Sequence, residues 1–433
     1  MQLTLEQIKQ MAPDSSAAAA GQKLAAPAHW QVLGRDSDAL WGLCKGSAVY
    51  QVRVDLSDLG YRCSCPSRKL PCKHVLGLLT LNASSTQSVT ETTPPEWVAD
   101  WLAKRKEREE KKAASAEAKP VDEQAQKKRV EKRETRIEDG LSRLDLWLKD
   151  LIRNGLAGLE SKSPAFWQEQ AKRLVDAQAP GLATRVQQLS EIAGASPDWP
   201  GRMADDLGRL KLLVHAYQGI DRLEPELQSE VRQAVGWTLS QAELDQQGEA
   251  VEDDWAVIGQ STNEEERLRI QRSWLVGRTT RRRALVLQFS MGRQPFAESI
   301  VAGTRQQGVL SFYPGTSRQR ARFRSRAGDV QPLAGQLPGT QSINEFLGTV
   351  ADRLARQPWL ASFGDVLLGV TISRHEKNWY VRDSSDDALP LLGHNHWKLL
   401  ALSGAGTIDL AGEWDGSRWN PLGLVQDGHF HVM

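Results

Sequence analysis

The chain reads as a multidomain α+β protein in three parts: a small β-rich domain over residues 1–85, a helical domain with a charged linker over 95–247, and a C-terminal β-rich domain over 250–433. Three observations predict this. Ala48 to Leu56 alternates apolar and polar side chains, the period of a half-buried strand. From Ile137 the apolar residues recur at three- and four-residue steps, the period of a helix with one buried face. Beyond residue 254 the language of strands returns. Two changes of composition separate these regimes: Ser84 to Thr93, rich in Ser and Thr and closed by Pro94-Pro95, and the acidic run Glu249 to Asp254.

The length of 433 residues suits two to three domains. With 25% charged residues and a net charge of +1, the chain is not coated for nucleic acid, although local patches remain open to it. No apolar run approaches ~18 residues, so no membrane span is expected. The start, MQLTLEQIKQMA, lacks the basic and apolar regions of a secretion signal, and Thr4 with Gln7 has the spacing of a helix capping box. Fifteen tryptophans spread over the chain read as core or half-buried anchors.

After the first helix, Asp14 to Ala28 reads as an Ala/Ser/Pro-rich loop. Strands follow at Trp30 to Leu33, Leu40 to Cys44 and Ala48 to Leu56. Then comes Tyr61 to Leu79, YRCSCPSRKLPCKHVLGLL, in which Cys63, Cys65, Cys72 and His74 make a C-x-C-x6-C-x-H pattern. Three thiolates and an imidazole are a closed tetrahedral ligand set that suits one structural zinc ion. In an extended segment Cys63 and Cys65 face the same side while Ser64 faces away. Pro66 turns the chain, and a short helix from Cys72 would hold His74 in its first turn. A disulfide is the competing reading, but a ring closed through C-x-C is strained and would leave His74 unexplained. Cys44 lies outside the pattern and is expected as a small buried side chain.

From Leu40 to Leu81 the chain resembles the SWIM-type zinc finger, whose C-x-C-x(n)-C-x-H signature sits on a ββα unit. The resemblance implies a module that binds DNA or protein, with Cys63, Cys65, Cys72 and His74 as ligands. Chains of this look also resemble bacterial proteins encoded beside MoxR-type AAA ATPases and von Willebrand A proteins, which implies an assembly or regulatory role. With three cysteines committed to metal, a cytoplasmic location is expected. Removal of the metal is expected to unfold the first 85 or so residues and leave the rest standing.

In the middle of the chain, Leu102 to Arg136 carries thirteen Lys/Arg against eight Asp/Glu. The two signs interleave and Pro120 interrupts, so a solvated helix or linker is favoured over an arm for nucleic acid. Leu141, Leu144, Leu148, Leu151, Ile152, Leu156 and Leu159 define one buried stripe. Further helices are expected from Ser163-Pro164 to Val175, around Leu207 to Tyr217, and from Leu227 to Leu239, packed as an antiparallel bundle or array. His215 has no ligand partner one turn away and reads as a structural or surface residue.

The C-terminal third begins with a hairpin, Arg267 to Val276 and Arg283 to Phe289. Arg318, Arg320, Arg322, Arg324 and Arg326 then alternate along one segment, so that a strand would project all five guanidinium groups from one face. Such a row is either a surface for phosphate or an acidic partner, or a charged edge that resists aggregation. Ser342 and Glu345 start a helix running to Arg356, and strands are expected at Val366 to Val370, Trp379 to Val381, Trp397 to Leu402 and in closing hairpins.

No phosphate-binding loop, dinucleotide fingerprint, nucleophile elbow or HExxH helix is present. His394-Asn395-His396 is not an HNH nuclease signature, and His429 with His431 lacks a third ligand. The chain is therefore expected to be a non-enzymatic, zinc-binding interaction protein with protein partners. The alternative is a nucleic-acid binder using Arg62, Arg68, Lys69 and Lys73 around the finger and the arginine row. No membrane association is expected.

Overall fold

The computed structural model describes residues 3–117, 123–265, 268–292 and 294–433. Pro120 and Arg267, read above as a helix interruption and a strand start, lie outside them.

The N-terminal unit opens with α1 (Leu5–Met11), closed by the expected box: Gln7 N–H donates to Thr4 Oγ1 at 3.3 Å and Thr4 N–H to Gln7 Oε1 at 2.8 Å. The segment expected as a loop holds a second helix, α2 (Ser15–Lys23). Asp14 caps it, accepting from Ala17 N–H at 2.7 Å, and four consecutive alanines propagate it. An Ala/Ser-rich composition had not distinguished helix from loop. Strands β1 (Trp30–Arg35), β2 (Ala39–Lys45), β3 (Val49–Asp55) and β4 (Tyr61–Cys63) form an antiparallel sheet, and β5 (Thr90–Glu91) joins its far edge parallel to β1. Helix α3 (Lys73–Ser84) covers one face through Val75, Leu76 and Leu79, which pack with Leu40, Cys44, Val52 and Val54. Ala39 and Trp41 on the other face meet Trp97 and Val98 at the start of α4 (Glu96–Glu117).

Helices α5 (Glu123–Arg153), α6 (Pro164–Asp176), α7 (Pro180–Ile192), α8 (Trp199–Gln218) and α9 (Pro225–Val235) share one core. The α5 stripe is Ile137, Leu141, Leu144, Leu148 and Leu151. Ile152, expected on it, is 60% exposed, because it lies one residue and about 100° around the helix from Leu151. Proline stands at the first turn of α6, α7, α8 and α9, where its missing N–H costs no hydrogen bond. A short α10 (Gln241–Gln247) follows.

The acidic run expected as a break is the beginning of a long strand, β6 (Glu249–Glu265). Two of its carboxylates are matched by arginines of neighbouring strands and turns: Glu249 by Arg282 and Arg318, each at 3.0 Å, and Asp254 by Arg278 at 3.0 Å and Arg305 at 2.7 Å. Strands β7 (Leu268–Gly277), β8 (Arg283–Met291), β9 (Thr304–Phe312) and β10 (Arg320–Pro332) close with β6 into a barrel of order β10-β8-β7-β6-β9. Pairing is antiparallel except between β8 and β10. Five strands in this order, with this parallel closure, have the connectivity of an OB-type barrel. Trp255, Val257, Leu275, Leu310 and Phe312 fill it.

A six-stranded sheet completes the chain, with β11 (Phe363–His375), β12 (Asn378–Arg382), β13 (Ala388–Pro390), β14 (Ile408–Trp414), β15 (Trp419–Gln426) and β16 (His429–Val432) in the order β13-β12-β11-β14-β15-β16. Helix α11 (Ile343–Arg356) starts at Ser342 as expected and sets Phe346 edge-on to Trp414 and Trp419. The run from Trp397 to Leu402, expected as a strand, is helix α12 (His396–Ser403). Leu399 and Ser403, four residues apart, are its buried side, and Gly404 ends it in the left-handed conformation, φ 57°.

The parts are joined. Val301 and Val330 from the barrel belong to the core of the N-terminal unit, and Gln7 and Gln306 donate their amides to the carbonyls of Gly303 and Ser57 across the seam. Glu230 on α9 accepts from Thr316 Oγ1 at 2.8 Å and Ser317 N–H at 2.9 Å in the β9–β10 connection, which ties the helical region to the barrel. Among the described residues, no helix is long and apolar enough to cross a membrane.

Candidate metal centre

The four sequence-predicted ligands converge. Cys63 ends β4, opposite Val52 of β3, and the chain stays extended so that Ser64 bonds back to Gln51 (N–H to C=O 3.0 Å; Gln51 N–H to Ser64 Oγ 2.9 Å) while Cys63 and Cys65 turn the other way. Cys72 is the N-cap residue of α3, and His74 lies in its first turn. The ligand atoms all lie within 4.8 Å of one another. His74 Nδ1 is 3.8 Å from Cys63 Sγ and 3.9 Å from Cys72 Sγ. A tetrahedral zinc with bonds of ~2.3 Å to sulfur and ~2.0 Å to nitrogen needs ligand–ligand edges of about 3.5–3.8 Å. The cluster is thus already close to the required size, and the residues fit one zinc ion.

The chemistry of the donors agrees with the geometry. The hydrogen bond donated by Cys63 holds Cys72 down to about 4, against its burial and with help from His74. The same contact, together with burial, pushes the Cys63 thiol up, and burial raises Cys65. Backbone N–H groups of Cys65 and Ser67 favour the thiolate forms of Cys63 and Cys65. A divalent cation would take the place of the protons these crowded sulfurs share. The His74 ring packs at 4.8 Å from the Tyr50 ring, a contact sequence spacing did not single out although the alternation of β3 points Tyr50 to that side. Cys44 is fully buried, as expected for a small apolar side chain, and the cysteines are free thiols. Among the described residues this is the one cluster of three or more potential metal-binding side chains, so His394, His396, His429 and His431 build no second centre of that kind.

Arg62, Arg68, Lys69 and Lys73 are all exposed around the centre. Lys69 pairs with Asp14 at 2.7 Å; the other three have no carboxylate partner among the described residues. The arginine row does not share one face. Arg318 precedes β10 with φ 42° and reaches Glu249 and Glu226. Arg320 and Arg322 point outward from β10, over Tyr313 and towards Asp245. The register with β9 then slips between Phe323 and Ser325, so Arg324 is an extra, exposed residue and the alternation reverses after it. Arg326 consequently turns to the inner side at the barrel mouth, over Phe323, bonding Glu298 at 2.8 Å and the Ser299 carbonyl at 2.9 Å. A bulge is invisible to a count of alternating residues, and it defeats the expected common face.

Comparison with known proteins adds to this geometry. No curated protein and no solved structure matches the chain. Residues 50–82 match the SWIM zinc finger, from β3 through the ligands to α3, and residues 132–235 match the SWIM-associated four-helix bundle domain, from within α5 to the end of α9. The chain therefore carries a SWIM-type zinc finger, with Cys63, Cys65, Cys72 and His74 placed to hold one zinc ion, together with the helical bundle associated with that finger.

Proposed function

We propose that this is a non-catalytic interaction protein, an adaptor for protein partners in which zinc holds a recognition surface in shape. The observation that carries the reading is the closed ligand set: three sulfurs and one nitrogen leave no position on a tetrahedral ion for water, so the metal serves the fold and not a reaction. The fate of the arginine row supports a protein partner over a nucleic-acid coat. Arg318, Arg322 and Arg326 face the chain's own carboxylates, and the net charge is +1. The partner class we favour, from the resemblance to bacterial proteins of this look, is a MoxR-type AAA ATPase or a von Willebrand A protein in the cytoplasm.

One observation favours a second reading. Arg62, Arg68 and Lys73 stand exposed and without carboxylate partners among the described residues beside the finger, which suits phosphate contact by nucleic acid. A pull-down with the tagged chain, run with and without nuclease and followed by mass spectrometry, separates the two. A defined protein set that survives nuclease and contains an AAA ATPase supports the adaptor. Loss of every partner on nuclease treatment refutes it in favour of the second reading, which Arg62→Ala with Arg68→Ala should then weaken.

A further inference from the structure

The molecule carries an aromatic and cationic platform far along the chain from the finger. Trp397, in the first turn of α12, is 64% exposed, which is extreme for the largest apolar side chain. Its ring stands edge-on to Trp379 at 4.9 Å, and Trp379 stacks on His396 at 5.6 Å. Arg374, directly opposite Trp379 in the β11–β12 pair, places its guanidinium 5.7 Å from the Trp379 ring and 5.6 Å from the Trp397 ring. Arg374 is exposed and makes no ion pair among the described residues, unlike most arginines of the barrel. Lys377 and His394 are exposed in the adjoining turns. Across residues 370–380 and 391–398, Glu376 is the lone carboxylate.

These features answer to one kind of ligand. An open indole face offers stacking to a flat ring, and a neighbouring unpaired guanidinium offers a planar fork to an anion. A ring and an anion that alternate along a flexible chain are a base and a phosphate. No side chain here is arranged to read a base edge, so recognition would tolerate any sequence. We propose that this platform binds single-stranded nucleic acid, one base stacking on the free face of Trp397 and the adjacent phosphate lying on Arg374. The site is separate from the finger and independent of the adaptor reading.

The test is fluorescence anisotropy of a labelled oligo-dT with the full chain, at salt rising from ~50 to ~200 mM. Trp397→Ala should weaken binding by roughly 5- to 150-fold, the loss of one stacked base, while Trp397→Phe retains most of it. Arg374→Ala should lower the slope of log affinity against log salt by about 0.7. Because Trp397 is largely exposed, an unchanged melting temperature is expected for its variants and separates lost contact from lost fold. With Arg62→Ala and Arg68→Ala already in place, Trp397→Ala should still weaken binding by the same factor, because the two sites are separate. The proposal is overturned if the wild type fails to bind at low salt, if Trp397→Ala binds equally well, or if the finger variant abolishes binding. Loss, in Trp397→Ala, of a protein captured after nuclease treatment, with oligo-dT not bound, would overturn it by assigning the platform to a protein.

Discussion

Removing the metal should unfold the N-terminal unit and weaken the barrel it covers without unfolding the helical region. Zinc coordination supplies ~10–16 kcal/mol of apparent folding energy in finger-sized units. That equals or exceeds the ~5–15 kcal/mol by which whole domains are stable, so the sheet β1–β4 and helix α3 should not persist without the ion. The consequence does not stop at residue 85. Val301 and Val330, 5% and 4% exposed, are buried against the core of this unit, and Ser299 Oγ and the Gln306 amide donate to its Leu59 and Ser57 carbonyls. Uncovering two valines costs the barrel about 3–6 kcal/mol, an upper estimate because the unfolded reference is not fully extended. For a region of this size that is a melting shift of roughly 6–24 °C. Hydrogen exchange read by mass spectrometry, before and after a strong chelator, follows each segment separately. Loss of protection in β3 and α3, partial loss in β9 and β10, and none in α5 to α8 is expected. Retained protection in α3 after complete metal loss, or simultaneous collapse of α5 to α8, would refute the reasoning.

Glu230 provides a pH test of the joint between the helical region and the barrel. Burial raises its pKa above the ordinary value of 4.5, against the hydrogen bonds from Ser317 and Thr316. A carboxyl whose folded pKa is raised adds stability that is complete below 4.5 and is lost as pH rises through the folded value. Glu230→Gln should flatten that part of the stability profile in urea titrations, and an identical slope in the variant would contradict the assignment. Glu230→Ala leaves Thr316 Oγ1 and Ser317 N–H without their acceptor and should cost about 1–3 kcal/mol. The bulge in β10 predicts that two neighbouring arginines behave differently. Arg326→Ala, which removes bonds to Ser299 and Glu298 at the barrel mouth, should destabilise by about 1–2 kcal/mol, whereas Arg324→Ala should stay within about 0.5 kcal/mol. Equal effects on the urea midpoint would mean that the two side chains do not face opposite ways.

The metal centre was legible from the sequence because its information is local. Cys63 and Cys65 lie two apart on an extended segment, and Cys72 and His74 two apart at a helix start, so spacing determines which side chains can meet. The buried stripes of α5 and α8 were legible for the same reason. What failed was either ambiguous or long-range. The alanines of α2 carry no periodic signal against a polar background. Trp397 to Leu402 is a short apolar run that suits strand or helix until Leu399 and Ser403 are seen to share a buried face. The acidic start of β6 reads as a break unless Arg282, Arg305 and Arg318, distant in sequence, are known to meet it. The closure of the barrel rests on pairing β8 with β10 and β6 with β9, contacts that no local pattern encodes. The platform of Trp379, Trp397 and Arg374 was hidden likewise, since a hairpin and a helix turn bring together residues up to 23 positions apart.

The central claim is that Cys63, Cys65, Cys72 and His74 together bind one zinc ion, and X-ray absorption spectroscopy of the purified chain, with its metal content measured alongside, tests it most directly. One zinc per chain is expected, with three sulfur neighbours at ~2.3 Å and one nitrogen at ~2.0 Å. A Cys65→Ser variant should lose one sulfur from that shell. Substoichiometric zinc, a shell containing bound water, or a spectrum unchanged in Cys65→Ser would contradict it.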